Sequence, residues 1–209
     1  MRNGKKYEAS IQYQVSSNEQ RIANSGNPKS QIRNLKYYHI CDAAFGYAAI
    51  LFQTEPFFVK RIFLPHSYKR ALRKQIQRTG PAKPGHTPAV VSLCKDIQAY
   101  FTGTPIKVRW KFFDLSGLTP LQRSVLKAVA GVPHGEIRSY SQIAAQVGHP
   151  RACRFVGTTL AQNPLPILIP CHRIVRADGS PGGFYGGTDL KKRLLLLEKG
   201  GLVKSGVRP

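Results

Sequence analysis

The chain has 209 residues, 42% hydrophobic and 10% aromatic, which suits one compact domain or two small ones and excludes global disorder. Lys and Arg number 32 against 10 Asp and Glu, and the net charge of +22 points to a polyanionic partner, nucleic acid before an anionic membrane. No run of 18 apolar residues is present, so no transmembrane helix is expected, and the basic N-terminus lacks the apolar segment of a secretory signal.

Residues 1–34, rich in Asn, Ser, Gln, Lys and Arg, read as a flexible basic tail. Residues 37–42, 47–52 and 57–64 are apolar runs rich in aromatic and β-branched side chains, separated by short breaks. They predict an antiparallel meander. Ser67 then caps a helix to about residue 78 that carries Lys69, Arg70, Arg73, Lys74 and Arg78, a charge run that reads as a solvated face. Residues 79–88 form a Gly/Pro linker. Residues 88–101 place Val90, Leu93, Cys94, Ile97 and Phe101 at helical spacing, and 107–113 read as a further short strand. Nothing in this first part specifies chemistry.

From Leu118 the pattern turns helical. Thr119 and Pro120 supply an N-cap and a proline at the first helical position, with Leu121, Val125, Leu126 and Val129 on one face. Ser139 caps a short helix from Tyr140 to about Val147. Pro150 opens a third helix that runs to about Gln162, and the pair reads as a helix-turn-helix. On that third helix Ala152, Phe155, Val156, Thr159 and Leu160 share one face, and Arg151, Arg154 and Thr158 share another. In so basic a chain the arginine face is a candidate nucleic-acid surface.

Residues 167–176 read Ile-Leu-Ile-Pro-Cys-His-Arg-Ile-Val-Arg. The apolar run before Pro170 predicts a buried strand with Cys171 and His172 at its end. A thiol beside an imidazole and a guanidinium is a candidate low-pKa nucleophile, and a buried structural cysteine fits the local sequence equally well. A glycine-rich loop follows at 178–187. Thr188 or Asp189 caps a last helix with Leu190 and residues 194–197 facing inward and Glu198 near its end. Cys41, Cys94, Cys153 and Cys171 show no paired spacing and imply free thiols in a reducing, intracellular setting, cytoplasmic in a prokaryote and nuclear in a eukaryote.

Together these pieces resemble the O6-alkylguanine-DNA alkyltransferases, the methylated-DNA–protein-cysteine methyltransferases. The resemblance runs from about Thr119 to Gly200. It rests on Val132-Pro133-His134-Gly135, Ser139-Tyr140-Ser141-Gln142-Ile143-Ala144, Asn163-Pro164, Ile169-Pro170-Cys171-His172-Arg173, Gly186-Gly187 and Leu196-Leu197-Glu198 in this order.

The resemblance implies an α+β chain. A small N-terminal domain of antiparallel sheet plus helices (35–115) precedes a mostly helical C-terminal domain with a helix-turn-helix and a buried active-site strand (118–200), then a C-terminal tail (201–209). It implies DNA repair by direct, single-turnover transfer of a methyl or alkyl group from O6-alkylguanine, and from O4-methylthymine, to Cys171. The partner is double-stranded DNA holding the lesion, without cofactor, metal or membrane, and the protein acts as a monomer. A non-catalytic, helix-turn-helix binder of alkylated DNA is the alternative, but such relatives lack the cysteine.

The catalytic set carried over is Cys171, His172 (through a bridging water), Glu198, Asn163 and Tyr140. DNA contacts fall to Tyr140, Ser141, Arg151, Arg154 (which enters the stack in place of the flipped base) and Arg173. The substrate pocket falls to Pro166, Ile169, Phe184, Tyr185 and Gly186. Phe184 stands where the family usually has tyrosine, and Phe155 where small residues are usual. Some relatives hold a structural zinc. His39, Cys41, His66, His86 and Cys94 lack paired ligand spacing, so none is expected here.

Overall fold

The computed structural model describes residues 35–200; the tails expected at 1–34 and 201–209 lie outside them. Strands β1 (Tyr37–Ala43), β2 (Gly46–Thr54) and β3 (Phe57–His66) form the expected antiparallel meander. Successive side chains of a strand point to opposite faces. Ala48, Ile50 and Phe52 accordingly join one apolar cluster, and Ala49 and Leu51 join another. Both faces are buried, which is why β2 reads as an unbroken apolar run rather than an alternating one.

Helix α1 (Lys69–Gln77) covers the outer face of the sheet, with Leu72 and Ile76 packed on Ala49, Leu51 and Phe63. Its N-cap is Tyr68, with no side-chain cap, so Ser67 does not play the expected part. The stretch expected as a linker contributes β4 (Lys83–Pro84), which pairs parallel with β1. The sheet is therefore mixed, in the order β3-β2-β1-β4. Helix α2 (Pro88–Tyr100), capped by Thr87, lies on the inner face. Residues 107–113 are not a strand. Trp110–Phe112 is a 3-10 turn, and Phe113 makes a single bridge to Val59. The rings there pack edge-on, Phe112 against Phe57 and Phe113 against Trp110, instead of lining up along a ladder.

Helix α3 (Pro120–Ala130) opens with a full capping box between Thr119 and Gln122, and α4 (Tyr140–Gln146) opens with another between Ser139 and Gln142. Helix α5 (Cys153–Ala161) starts three residues later than Pro150 suggests. Its N-cap is Ala152, whose amide donates to the His149 carbonyl, and Pro150 and Arg151 belong to the turn before it. The helix-turn-helix pair α4–α5 is present. Val156, Thr159 and Leu160 face inward, while Arg154 and Thr158 are exposed. The two-residue strands β5 (Arg138–Ser139) and β6 (Ile174–Val175) pair parallel. Helix α6 (Thr188–Glu198) is capped by Gly187 at φ 84°, not by the side chain of Thr188 or Asp189. Leu194 is buried, but Leu196 is half exposed.

One apolar core runs from the inner sheet face (Ile50, Phe52, Ile62) through Ile97 to Val125, Ile143, Val156, Ile169 and Leu194. Each such side chain contributes about 1.5–3 kcal/mol on burial. The N-terminal sheet and the helical half are therefore joined by a continuous interior. No helix among the described residues is long and apolar enough to cross a membrane.

Candidate active site

The site is built on a tight buried turn rather than the expected strand end. The Leu165 carbonyl accepts from the Ile169 amide at 2.8 Å, and Ile167 is held at φ 74°. Left-handed backbone at a β-branched residue costs about 1–3 kcal/mol, which the surrounding packing must hold in place. Asn163 supplies part of that hold. Its Nδ2 donates to the Ile169 carbonyl (2.9 Å) and its Oδ1 accepts from the Leu165 amide (3.0 Å). The β3 strand adds a bond from the Ile62 amide to the Pro164 carbonyl at 2.8 Å. The chain leaves this turn as a 3-10 turn, Cys171–Arg173, and then enters β6. The buried strand thus follows the cysteine instead of preceding it.

Glu198 organises the polar interior. Its carboxylate accepts from Tyr100 Oη (2.7 Å), His172 Nε2 (2.7 Å), Arg173 Nε (2.8 Å) and Nη2 (2.9 Å), and the Gly135 amide (3.0 Å). Arg173 Nη1 also donates to the Val132 carbonyl at 2.6 Å. A buried charge is tolerable when paired and fully hydrogen-bonded, and this one is. Gly135 has a positive φ of 79°, and a Cβ there would lie 3.1 Å from the Glu198 carbonyl oxygen. Glycine lets its amide reach the carboxylate.

Burial pushes the Glu198 carboxyl up, but the hydrogen bonds from His172, Arg173 and Tyr100 outweigh it and hold the group ionised, well below the usual range. Burial pushes His172 down, against the pull of Glu198. Burial thus favours the neutral imidazole. Its Nε2 faces the Tyr100 oxygen (3.0 Å) and the Glu198 carboxylate, so that nitrogen carries the proton. Nδ1 keeps its lone pair, is buried, and has no hydrogen-bond partner among the described residues. Burial raises the Cys171 thiol, while a hydrogen bond from Asn163 and the charge of Lys191 favour the thiolate. Lys191 is fully buried, and burial lowers it to about 8. Its Nζ donates to the Ile174 carbonyl at 2.5 Å and lies 5.8 Å from the Tyr140 ring.

Cys171 is reached from two adjoining clefts. One, of about 410 Å³, is lined by Tyr140, Gly157, Leu160, Gly183 and Phe184. The other, of about 200 Å³, is lined by Arg61, Ile62, Leu64, Asn163 and Pro166. Phe184 and the exposed Tyr185 line both. A buried thiol, an imidazole on an ionised carboxylate, and a mostly apolar cleft bordered by the phenols of Tyr140 and Tyr185 suit nucleophilic attack on a neutral, flat substrate.

Residues 120–200 match the profile of the 6-O-methylguanine DNA methyltransferase DNA-binding domain. A methylated-DNA–protein-cysteine methyltransferase of Mycolicibacterium paratuberculosis is 39% identical over 131 residues, covering 61% of this chain and 78% of the relative. The chain belongs to the methylated-DNA–protein-cysteine methyltransferases. The Methanothermobacter thermautotrophicus methyltransferase is 40% identical over 110 residues, 53% of this chain and 61% of that relative. The Mycobacterium tuberculosis methyltransferase, solved in complex with DNA, superposes with a TM-score of 0.63 at 31% identity, covering 78% of this chain and 93% of that one.

Within this methyltransferase the structure brings Cys171, His172, Glu198 and Asn163 together, with Tyr140 and Phe184 on the cleft wall. Ser141, Arg151 and Arg154 are exposed. Arg173 is a correction. It was expected at DNA, but it is buried and clamps Glu198 in a two-pronged pair, so it is not available to a phosphate. Ile169 is fully buried and acts through its carbonyl, away from both cleft linings. Gly186 is also absent from those linings. A Cβ there would lie 2.7 Å from Leu64 Cδ1 and from Leu190 Cδ2, so its smallness serves protein packing. Gly182 is likewise close to Tyr140. No group of three or more His, Cys, Asp or Glu among the described residues could hold a metal.

Two polar residues escaped the sequence reading. Lys191 carried a signal, because it stands on the same α6 face as Leu194 and Glu198 by helical spacing. Tyr100 carried none, since it continues the apolar stripe of Leu93 and Ile97 on α2 and reads as core.

Proposed function

We propose that this methyltransferase repairs DNA by moving the alkyl group of O6-alkylguanine, and of O4-methylthymine, onto Sγ of Cys171, once per molecule. The observation that carries the reading is the pairing of His172 Nε2 with the Glu198 carboxylate at 2.7 Å, which leaves a buried, unpartnered Nδ1 beside Cys171 in sequence. The lesion base leaves the stack, because its alkyl carbon is out of reach within the duplex. It enters the cleft between Tyr140 and Phe184. Nδ1 draws the thiol proton through a bridging water, and Glu198 stabilises the resulting imidazolium.

The thiolate then forms a bond to the alkyl carbon. The carbon–oxygen bond breaks, and its electron pair goes to the guanine oxygen. The Tyr140 hydroxyl donates to the base as that charge develops, and the proton taken from the thiol ends on guanine. A thioether is a poor leaving group, so the product is permanent. Lys191 supplies a cation that favours the thiolate.

Ser141, Arg151 and Arg154 face the duplex, and Arg154 fills the space left by the base. Residues 118–200 carry the chemistry. Residues 35–115 brace them through the shared core and Tyr100, which positions the carboxylate. The protein works as a monomer inside the cell, where DNA and reduced thiols are found. Intact-protein mass spectrometry after mixing with a duplex holding one O6-methylguanine tests the reading. A gain of one methylene on Cys171 is expected; an unchanged mass with tight lesion binding would make the protein a non-catalytic binder.

A further inference from the structure

Helix α1 is built against its own stability. Its first turn holds Lys69 and Arg70 and no acidic residue, where the helix dipole disfavours cations. Like charges stand four apart at Lys69 and Arg73, at Arg70 and Lys74, and at Lys74 and Arg78, which is a repulsive spacing. All five side chains are exposed. The carboxylates that form ion pairs are engaged elsewhere, Asp114 with Lys60, Asp96 with Arg109, Glu136 with Arg138 and Glu198 with Arg173. None of the five α1 cations pairs with a carboxylate among the described residues. Lys69 rests on the Tyr47 ring at 4.6 Å, and Tyr68 beside it is 67% exposed. Leu72 and Ile76 are the fully buried residues of this helix.

Its position matters as much as its charge. α1 covers the outer face of the sheet, and Cys171, α4 and α5 belong to the core on the inner face. α1 and the α4–α5 pair thus pack against opposite faces of the sheet.

We propose that the outward face of α1, Lys69, Arg70, Arg73, Lys74 and Arg78 with Tyr68, is a second surface for duplex DNA, contacting the phosphates of a segment other than the one under repair. The inference rests on DNA being the substrate. It makes the protein able to hold two duplex segments at once. The five cations gain phosphate partners that offset their mutual repulsion, and the counterions released from the DNA favour binding.

The test uses the full chain and a variant with Lys69→Gln, Arg70→Gln, Arg73→Gln, Lys74→Gln and Arg78→Gln. Two lesion-free duplexes, one with a donor dye and one with an acceptor, report bridging. The wild type is expected to bring the dyes together, and the variant to lose that signal. The variant's salt dependence of binding should also flatten by about 0.9 for each phosphate that is no longer neutralised. Transfer from free O6-methylguanine should be the same in both proteins, which separates this inference from the repair reading. A melting curve checks that the variant folds. Equal bridging and equal salt slopes in a folded variant would overturn the proposal. So would a loss confined to binding of phosphatidylserine vesicles, which would give the face to a membrane instead.

Discussion

Tyr100 and Glu198 stand 98 residues apart in sequence and share a 2.7 Å hydrogen bond at the centre of the protein. The phenol comes from the sheet-bearing half and the carboxylate from the last helix of the catalytic half. Burial and the neighbouring carboxylate push the Tyr100 hydroxyl up, so it stays protonated and remains a donor. Tyr100→Phe removes one hydrogen bond to a charged acceptor, worth about 1.5–3 kcal/mol. Transfer from free base and from DNA should both slow by about tenfold or more, and the dependence of the rate on pH should shift. A variant that loses only thermal stability, with rate and pH profile intact, would reduce Tyr100 to packing.

Cys171→Ala should abolish transfer and leave DNA binding intact, since the thiol lies beneath the cleft and not on the outer surface. Mass spectrometry and a gel-shift titration read the two properties separately. Any residual methylation of the variant would move the acceptor elsewhere.

Glu198→Gln should cost about 3–5 kcal/mol, because Arg173 is left buried without its counter-charge. It should also slow transfer by about 10²-fold, because the imidazolium loses its partner. Denaturant unfolding and single-turnover rates measure the two effects.

Acid should destabilise the wild type in two stages. His172 is held below its ordinary 6.5, so the unfolded chain takes up that proton first and stability declines as pH drops under 6.5. Glu198, and Asp114 at about 2 through its bonds from Lys60 and Ser116, are held below their ordinary 4.5 and 3.8. Their contribution is present above those values and drains away beneath them. Melting temperature against pH should show both stages, and Glu198→Gln should blunt the lower one.

Lys191→Met removes the cation that favours the thiolate. The Cys171 thiol should move further up, and the transfer rate should reach its plateau at a higher pH. A profile superimposable on the wild type would confine Lys191 to its bond with the Ile174 carbonyl.

Most of the catalytic half was legible in the sequence because its signals are local. Capping boxes at Thr119 and Ser139 announce α3 and α4 within a few residues, and the order Asn163, Cys171, His172, Glu198 survives as spacing. What was hidden depends on contacts across the chain. The turn at Ile167 has the composition of a strand. Arg173 sits in a basic protein and reads as a phosphate contact until Glu198 is seen beside it. Tyr100 looks like core because it is core, apart from one oxygen atom.

Gly186 sets a tolerance between the two halves. A Cβ there would lie 2.7 Å from both Leu64 of β3 and Leu190 of α6, so the loop bearing Phe184 and Tyr185 packs against them too closely for any side chain at this position. The same Leu64 lines the smaller cleft to Cys171, so β3 both braces this loop and borders the site. A bulkier or slimmer residue at position 64 would retune which adducts enter without touching any reacting group.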